Sequence, residues 1–223
     1  MKQIPLPIVT VAARTFDNFV VGSNAAAQAH LLALEPGAAP VYLWGPSGSG
    51  KTHLLQAVLR RAQAQGVKVA GFSAADAAPW AFDDLWRLIA LDDADRLDPE
   101  QQHCAFASYV QAAAQGATII AAGSLPPVDM PLREDLRSRL GWGHVLALQP
   151  LSEAQARAAL RRDADRRGIL LSDEVLEYLL TRFARDLKSL FELLDRLDDF
   201  SLAHKRSVTV TLLRQMLAEE NPA

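Results

Sequence analysis

The chain has 223 residues, half of them hydrophobic and 22% charged, with a formal net charge of -3, so it can bury a sizeable core and reads as a soluble globular protein. The acidic balance argues against a protein whose main task is gripping nucleic acid, and no direct sequence-specific DNA binding is expected. No apolar run approaches the ~18 residues of a membrane span, the start MKQIPLPIVTV is a poor signal peptide, and the single cysteine, Cys104, fits a reducing cytoplasmic setting as a small buried hydrophobe.

In chain order, Pro5 and Pro7 oppose helix formation, so residues 1–14 are predicted to form an extended arm. A helix over 23–34 starts at Ser23 or Asn24 and stops before Pro36-Gly37. VYLWG (41–45) reads as a buried strand and is followed by a helix from Lys51 to about Gln65. Further strands are expected at 68–73, 87–91 and 117–122, the last two separated by a helix over 99–115. This alternation predicts an α/β fold with a central parallel sheet covered on both faces. The stretch 74–86 reads as a mobile loop without legible chemistry, and Trp44, Trp80, Trp86 and Trp142 as core or interface aromatics.

After Pro150 the pattern is helical throughout. Ser152 and Gln155 make a capping box for a helix ending at Gly168. Ser172 caps a second helix, a third covers 186–203, and 208–217 starts extended and finishes helical. With 11 basic and 11 acidic residues over 153–206, these helices carry ordinary solvated faces. The predicted organisation is an arm (1–14), an α/β domain (15–150) and a small all-helical domain (151–223).

GPSGSGKT, residues 45–52, matches G-x-x-x-x-G-K-[ST] in full, between a predicted strand and a predicted helix. Gly45, Pro46, Ser47, Gly48, Ser49 and Gly50 let successive backbone N–H groups curl around the phosphates of ATP or ADP, and the helix start adds a favourable dipole. Lys51 would reach the β- and γ-phosphates and the Thr52 hydroxyl would ligate Mg²⁺. RLIALDDAD places Asp92 and Asp93 at the end of another buried strand. There Asp92 would hold Mg²⁺ and Asp93 would position a water, although such a pair also serves as helix caps. Asp95 and Asp98 read as loop and cap residues. His53, in the first turn after the loop, borders the nucleotide and suits packing or capping better than catalysis. The five histidines show no ligand spacing, so no zinc is expected.

With these pieces placed, residues 14–218 resemble the AAA+ family and, within it, the bacterial replication initiator DnaA. TFDNFVVGSN (15–24) is similar to the initiator's entry to its nucleotide pocket, which implies Phe19, Val20 and Gly22 near the adenine. LRSRLGWG (136–143) is similar to the segment carrying the arginine finger, which points to Arg139, with Arg133 and Arg137 as nearby competitors and a surface salt bridge as the other reading. RDLKSLFELLDRL (185–197) is similar to the sensor-2 helix opening the lid, but Lys188 stands where an arginine is expected. At sensor 1 the strand ends AAGS without an aspartate, leaving Ser124 as the polar residue. Both departures imply weak hydrolysis by the chain alone.

The arm reads QIPLPI, similar to the Q-x-x-L-P-[LF] peptide that docks on the DNA polymerase sliding clamp, with Gln3, Leu6, Pro7 and Ile8 as contacts; an ordinary terminal tail is the other reading. The chain ends just after the lid, where the initiator continues into a helix-turn-helix. These two features are similar to the Hda family of DnaA-related regulators. That resemblance implies DnaA and the clamp as partners, assembly of like subunits, and an arginine acting in trans on DnaA-bound ATP. An autonomous ATPase of the helicase-loader type is the alternative.

Overall fold

The computed structural model describes residues 13–183 and 187–220, apart from the side chains of Lys188 and Glu220. Its first part alternates helices and strands: α1 (Ala25–Leu32), β1 (Val41–Trp44), α2 (Lys51–Ala64), β2 (Val69–Ser73), β3 (Leu88–Asp92), α3 (Pro99–Gln115), β4 (Thr118–Gly123), α4 (Glu134–Gly141) and β5 (His144–Ala147). The strands form one sheet in the order β2-β3-β4-β1-β5, every pair parallel. Parallel strands need crossovers, and helices supplying them must cover both faces.

The period-2 alternation of each strand divides the core accordingly. Val41, Leu43, Leu88, Ala90, Ile120 and Ala122 face α1 and α2. Tyr42, Ile89, Leu91, Ile119 and Ala121 face the opposite way, among residues of α3 and α4. Asp98 and Gln101 form the capping box that starts α3 after a Pro at its first position.

The sequence reading found four of the five strands. It missed β5, which is four residues long, lies at the sheet edge and is mostly exposed, so it lacks the buried apolar run that betrays a central strand. The helix α4, read only as an arginine-bearing segment, is eight residues long and capped by no side chain. Residues 74–86 pack an aromatic cluster: Trp80 stacks on Phe72 at 4.9 Å, and Trp86 meets both Phe72 and Phe82 edge-on. Cys104 is only half-buried rather than buried.

Four helices follow: α5 (Glu153–Arg167), α6 (Asp173–Arg182), α7 (Leu187–His204) and α8 (Val210–Glu220). Ser152 and Gln155 make the expected capping box, Ser172 accepts from the Val175 N–H, and Gly168 closes α5 in the left-handed region at φ 74°. Leu160, Val175, Leu176, Leu179, Leu190, Leu197, Leu212 and Leu213 are fully buried in a core of their own. No helix among the described residues is long and apolar enough to cross a membrane.

Candidate functional site

Because all strands run the same way, their carboxyl ends share one edge, the place where open α/β sheets build ligand sites. Trp44, the last residue of β1, is level with Gly123, the last of β4, and β3 beside β4 ends on Asp92. The segments 45–52, 92–93 and 124, distant in sequence, therefore emerge as neighbours.

The 45–52 loop leads into α2 through Gly50, which adopts φ 95°. A Cβ there would lie 2.7 Å from the Phe19 ring, so glycine is required both for the left-handed turn and for the close approach. Lys51 Nζ donates to the carbonyls of Gly45 (2.7 Å) and Pro46 (2.9 Å). Burial pushes its pKa down, against the attraction of Asp92, Asp95 and Asp93. Ser49 is buried, and its Oγ has no hydrogen-bond partner among the described residues. An orphaned buried hydroxyl, a glycine cradle and a helix N-terminus with no acidic residue in its first turn together fit a phosphate group.

Asp92 Oδ1 accepts from the Asp93 N–H at 3.0 Å, and the Thr52 hydroxyl beside it favours its charged form. Burial raises its pKa, while these hydrogen bonds and Lys51 favour the charged form. The two residues read as Mg²⁺ ligands are thus already in contact, a donor set of the hard-oxygen type that Mg²⁺ takes. Asp93 sits at φ 51°, an uncommon position for a non-glycine residue that aspartate tolerates.

Ser124 is not a free sensor. Its N–H donates to Asp95 Oδ1 at 2.9 Å and its hydroxyl donates to Asp95 Oδ2. Asp95, read from the sequence as a loop or cap residue, instead ties the turn after β3 to the end of β4. Burial opposes its charge, but the Ser124 hydrogen bonds prevail and hold its pKa below the usual value. Behind it, Tyr42 donates to the Leu125 carbonyl at 2.7 Å, and burial and then the Asp95 charge push the phenol pKa up. A Cβ on Gly123 would stand 2.3 Å from the Tyr42 hydroxyl and 2.8 Å from Asp95. This explains the glycine of AAGS. Nothing in the sequence spacing would have paired Asp95 with Ser124.

The entry segment 15–24 lies against the same loop. Phe19 is buried under Gly50 and meets the His53 ring at 5.3 Å. His53 Nε2 contacts the Thr15 carbonyl at 2.8 Å, so its ring anchors the entry segment, and burial lowers its pKa. Val20 is half-buried. Gly22, at φ 52°, faces Leu151 and Gln155 at the start of the helical part. Asn24 does not cap α1 with its side chain. It is buried and instead clasps the backbone of Gln149, donating to its carbonyl (2.9 Å) and accepting from its N–H (2.8 Å). The link spans 125 residues and is invisible to local sequence rules.

Arg139 lies at the last turn of α4, half-buried, with its guanidinium over the Trp142 ring, 5.5 Å from the centroid. Among the described residues it makes no ion pair or side-chain hydrogen bond. Arg133, by contrast, is paired with Asp135 at 2.6 Å. Lys188 falls in the first turn of α7, with its side chain outside the described residues. Gln3, Leu6, Pro7 and Ile8 also lie outside them.

Two family models match the chain: "Hda, lid domain" over residues 153–217 and "Bacterial DnaA ATPase domain" over residues 12–77. An uncharacterized protein of Haemophilus influenzae is 33% identical over 230 residues, covering 97% of this chain and 98% of that one. Among solved structures, domain III of the Thermotoga maritima replication initiation protein DnaA superposes with a TM-score of 0.77 at 21% identity, covering 93% of this chain and 97% of that one. AMPPCP-bound DnaA from Aquifex aeolicus gives 0.71 at 22%, covering 94% and 70%. The Thermotoga maritima branch-migration motor RuvB, in an A156S mutant, gives 0.67 at 17%, covering 92% and 72%. At these identities the structural matches establish the fold: an AAA+ α/β domain followed by a helical lid.

Proposed function

The chain belongs to the Hda and DnaA-like AAA+ proteins, and from that premise we propose that it binds ADP or ATP with Mg²⁺ and stimulates hydrolysis of ATP held by DnaA, restraining initiation of DNA replication. The observation that carries this reading is the contrast between Lys51, engaged with the carbonyls of its own loop, and an Arg139 guanidinium that makes no ion pair or hydrogen bond among the described residues. On the chain's own nucleotide, the N–H groups of 45–52 and Lys51 hold phosphate oxygens, while Thr52 and Asp92 hold Mg²⁺, which neutralises phosphate charge when bound. Asp93 orients a water. Phe19, Val20 and Gly22 line the base side, backed by His53. Ser124, clamped by Asp95, and Lys188, a point charge rather than a fork, make this half a weak hydrolase.

On the partner's nucleotide, Arg139 meets the charge that develops on the transferred phosphate. Arginine fingers contribute roughly 10³–10⁵ in rate. The peptide Gln3-Ile4-Pro5-Leu6-Pro7-Ile8 tethers the protein to the sliding clamp, raising its local concentration near DNA without direct base reading. The working setting is the cytoplasm, the assembly includes like subunits, and the lid begins near residue 151.

The test is phosphate release from ATP-loaded DnaA with clamp on DNA, adding this protein or its Arg139→Ala variant. Stimulation that requires the clamp and collapses in the variant supports the reading. The intact Thr52–Asp92 contact favours a second reading, an autonomous AAA+ ATPase of the helicase-loader type. Equal hydrolysis by this protein without DnaA or clamp would establish it instead.

A further inference from the structure

We propose that Trp142 is a positioning residue for Arg139: its indole face holds the guanidinium in reach of the partner's phosphate while leaving all five N–H donors free. The proposal rests on the reading of Arg139 given above.

An arginine that must meet phosphate at a subunit boundary faces two opposing demands. Left free, it loses about 2 kcal/mol of rotamer entropy on engagement. Held by a carboxylate, as Arg133 is held by Asp135, its charge is already partly offset before a phosphate arrives. A ring resolves the conflict, because the flat face of the guanidinium meets the π-cloud while the donors lie in the guanidinium plane. Arg139 Cζ lies over the Trp142 ring, 5.5 Å from the centroid.

The backbone around Trp142 is fixed on both sides. Its N–H donates to the Arg139 carbonyl at 3.3 Å, closing α4. Next to it, a Cβ on Gly143 would collide with the Pro40 carbonyl at 1.9 Å, and His144 N–H donates to the same carbonyl at 2.9 Å. On this fixed backbone Trp142 is nevertheless 69% exposed. The exposure costs hydrophobic free energy that burial would recover, and packing within the chain does not account for it.

The experiment titrates the protein into ATP-loaded DnaA with clamp on DNA, and reads both the plateau rate and the concentration for half-maximal stimulation. The variants are Trp142→Leu, Trp142→Phe, Arg139→Ala and the double change Arg139→Ala with Trp142→Leu. Trp142→Leu is expected to lower the plateau about 3- to 30-fold, the span from an exposed to a desolvated cation–π contact, with the half-maximal concentration unchanged. Trp142→Phe should recover most of the loss, and the double variant should be no slower than Arg139→Ala. Thermal melts confirm that the exposed position tolerates each change. A shift in half-maximal concentration alone, equal loss with Phe and Leu, or additive loss in the double variant would overturn the assignment. A full plateau for Trp142→Leu beside a collapsed Arg139→Ala sinks only Trp142. A full plateau for Arg139→Ala sinks the trans-arginine reading and Trp142 with it.

Discussion

The phosphate loop and the α4 corner are both built around one cation, and they treat it in opposite ways. Lys51 is drawn inward, donating to two loop carbonyls within a field of Asp92, Asp93 and Asp95. Arg139 stands at a helix end with no carboxylate partner among the described residues and an aromatic face for support. A cation among carbonyls and carboxylates is organised to retain a ligand within its own subunit. A cation on a π-face keeps its donors unspent. On the function proposed above, the difference separates holding a nucleotide from acting on one.

The largest expected effect breaks the comparison at its outward end. Arg139→Ala should reduce stimulated hydrolysis of DnaA-bound ATP by about 10³–10⁵ while leaving the chain's own ADP affinity, measured by calorimetry, unchanged. Lys51→Ala should do the reverse to affinity. Gly50→Val attacks the inward end: a side chain at φ 95° against Phe19 should destabilise by about 1–3 kcal/mol from strain and a similar amount from overpacking. Urea unfolding gives the loss, and calorimetry should show weakened nucleotide binding.

Smaller effects sharpen how the entry segment and the start of α1 are held against the α/β domain. Asn24→Ala leaves the Gln149 N–H and carbonyl without their partner and should cost about 1–3 kcal/mol in urea unfolding. The smallest effect is a pH slope at the entry segment. Burial lowers the folded pKa of His53 below the ~6.5 of an unfolded chain. The unfolded state therefore takes up the proton first, and stability falls as pH drops below about 6.5 until the folded group titrates as well. His53→Gln should remove part of that slope in pH-dependent melts, with the similarly lowered His30 supplying the remainder.

Much of the site was legible because its chemistry is local in sequence. Gly45 to Thr52 needs only a strand, a turn and a helix, and hydrophobic runs marked β1, β3 and β4 as buried strands. Asp92 could be placed beside Thr52 because Asp92 ends β3 and the loop leading to Thr52 follows β1, both strands of one parallel sheet. Asp95 with Ser124 and Asn24 with Gln149 had no such rule, since each pairs a turn residue with a distant backbone or side chain. The edge strand β5 escaped because half-exposed edges lose the apolar signature.

The sequence by itself determined the phosphate loop, the acidic strand end, the parallel α/β order and the helical lid with its caps, since periodicity and capping act within a few residues. Tertiary structure alone decided that Ser124 is tied to Asp95 and that Gly123 yields space to Tyr42. Those outcomes turn on which groups meet across the sheet edge, and a hydrogen bond or close approach of a few ångströms between distant segments is set by packing rather than by spacing along the chain.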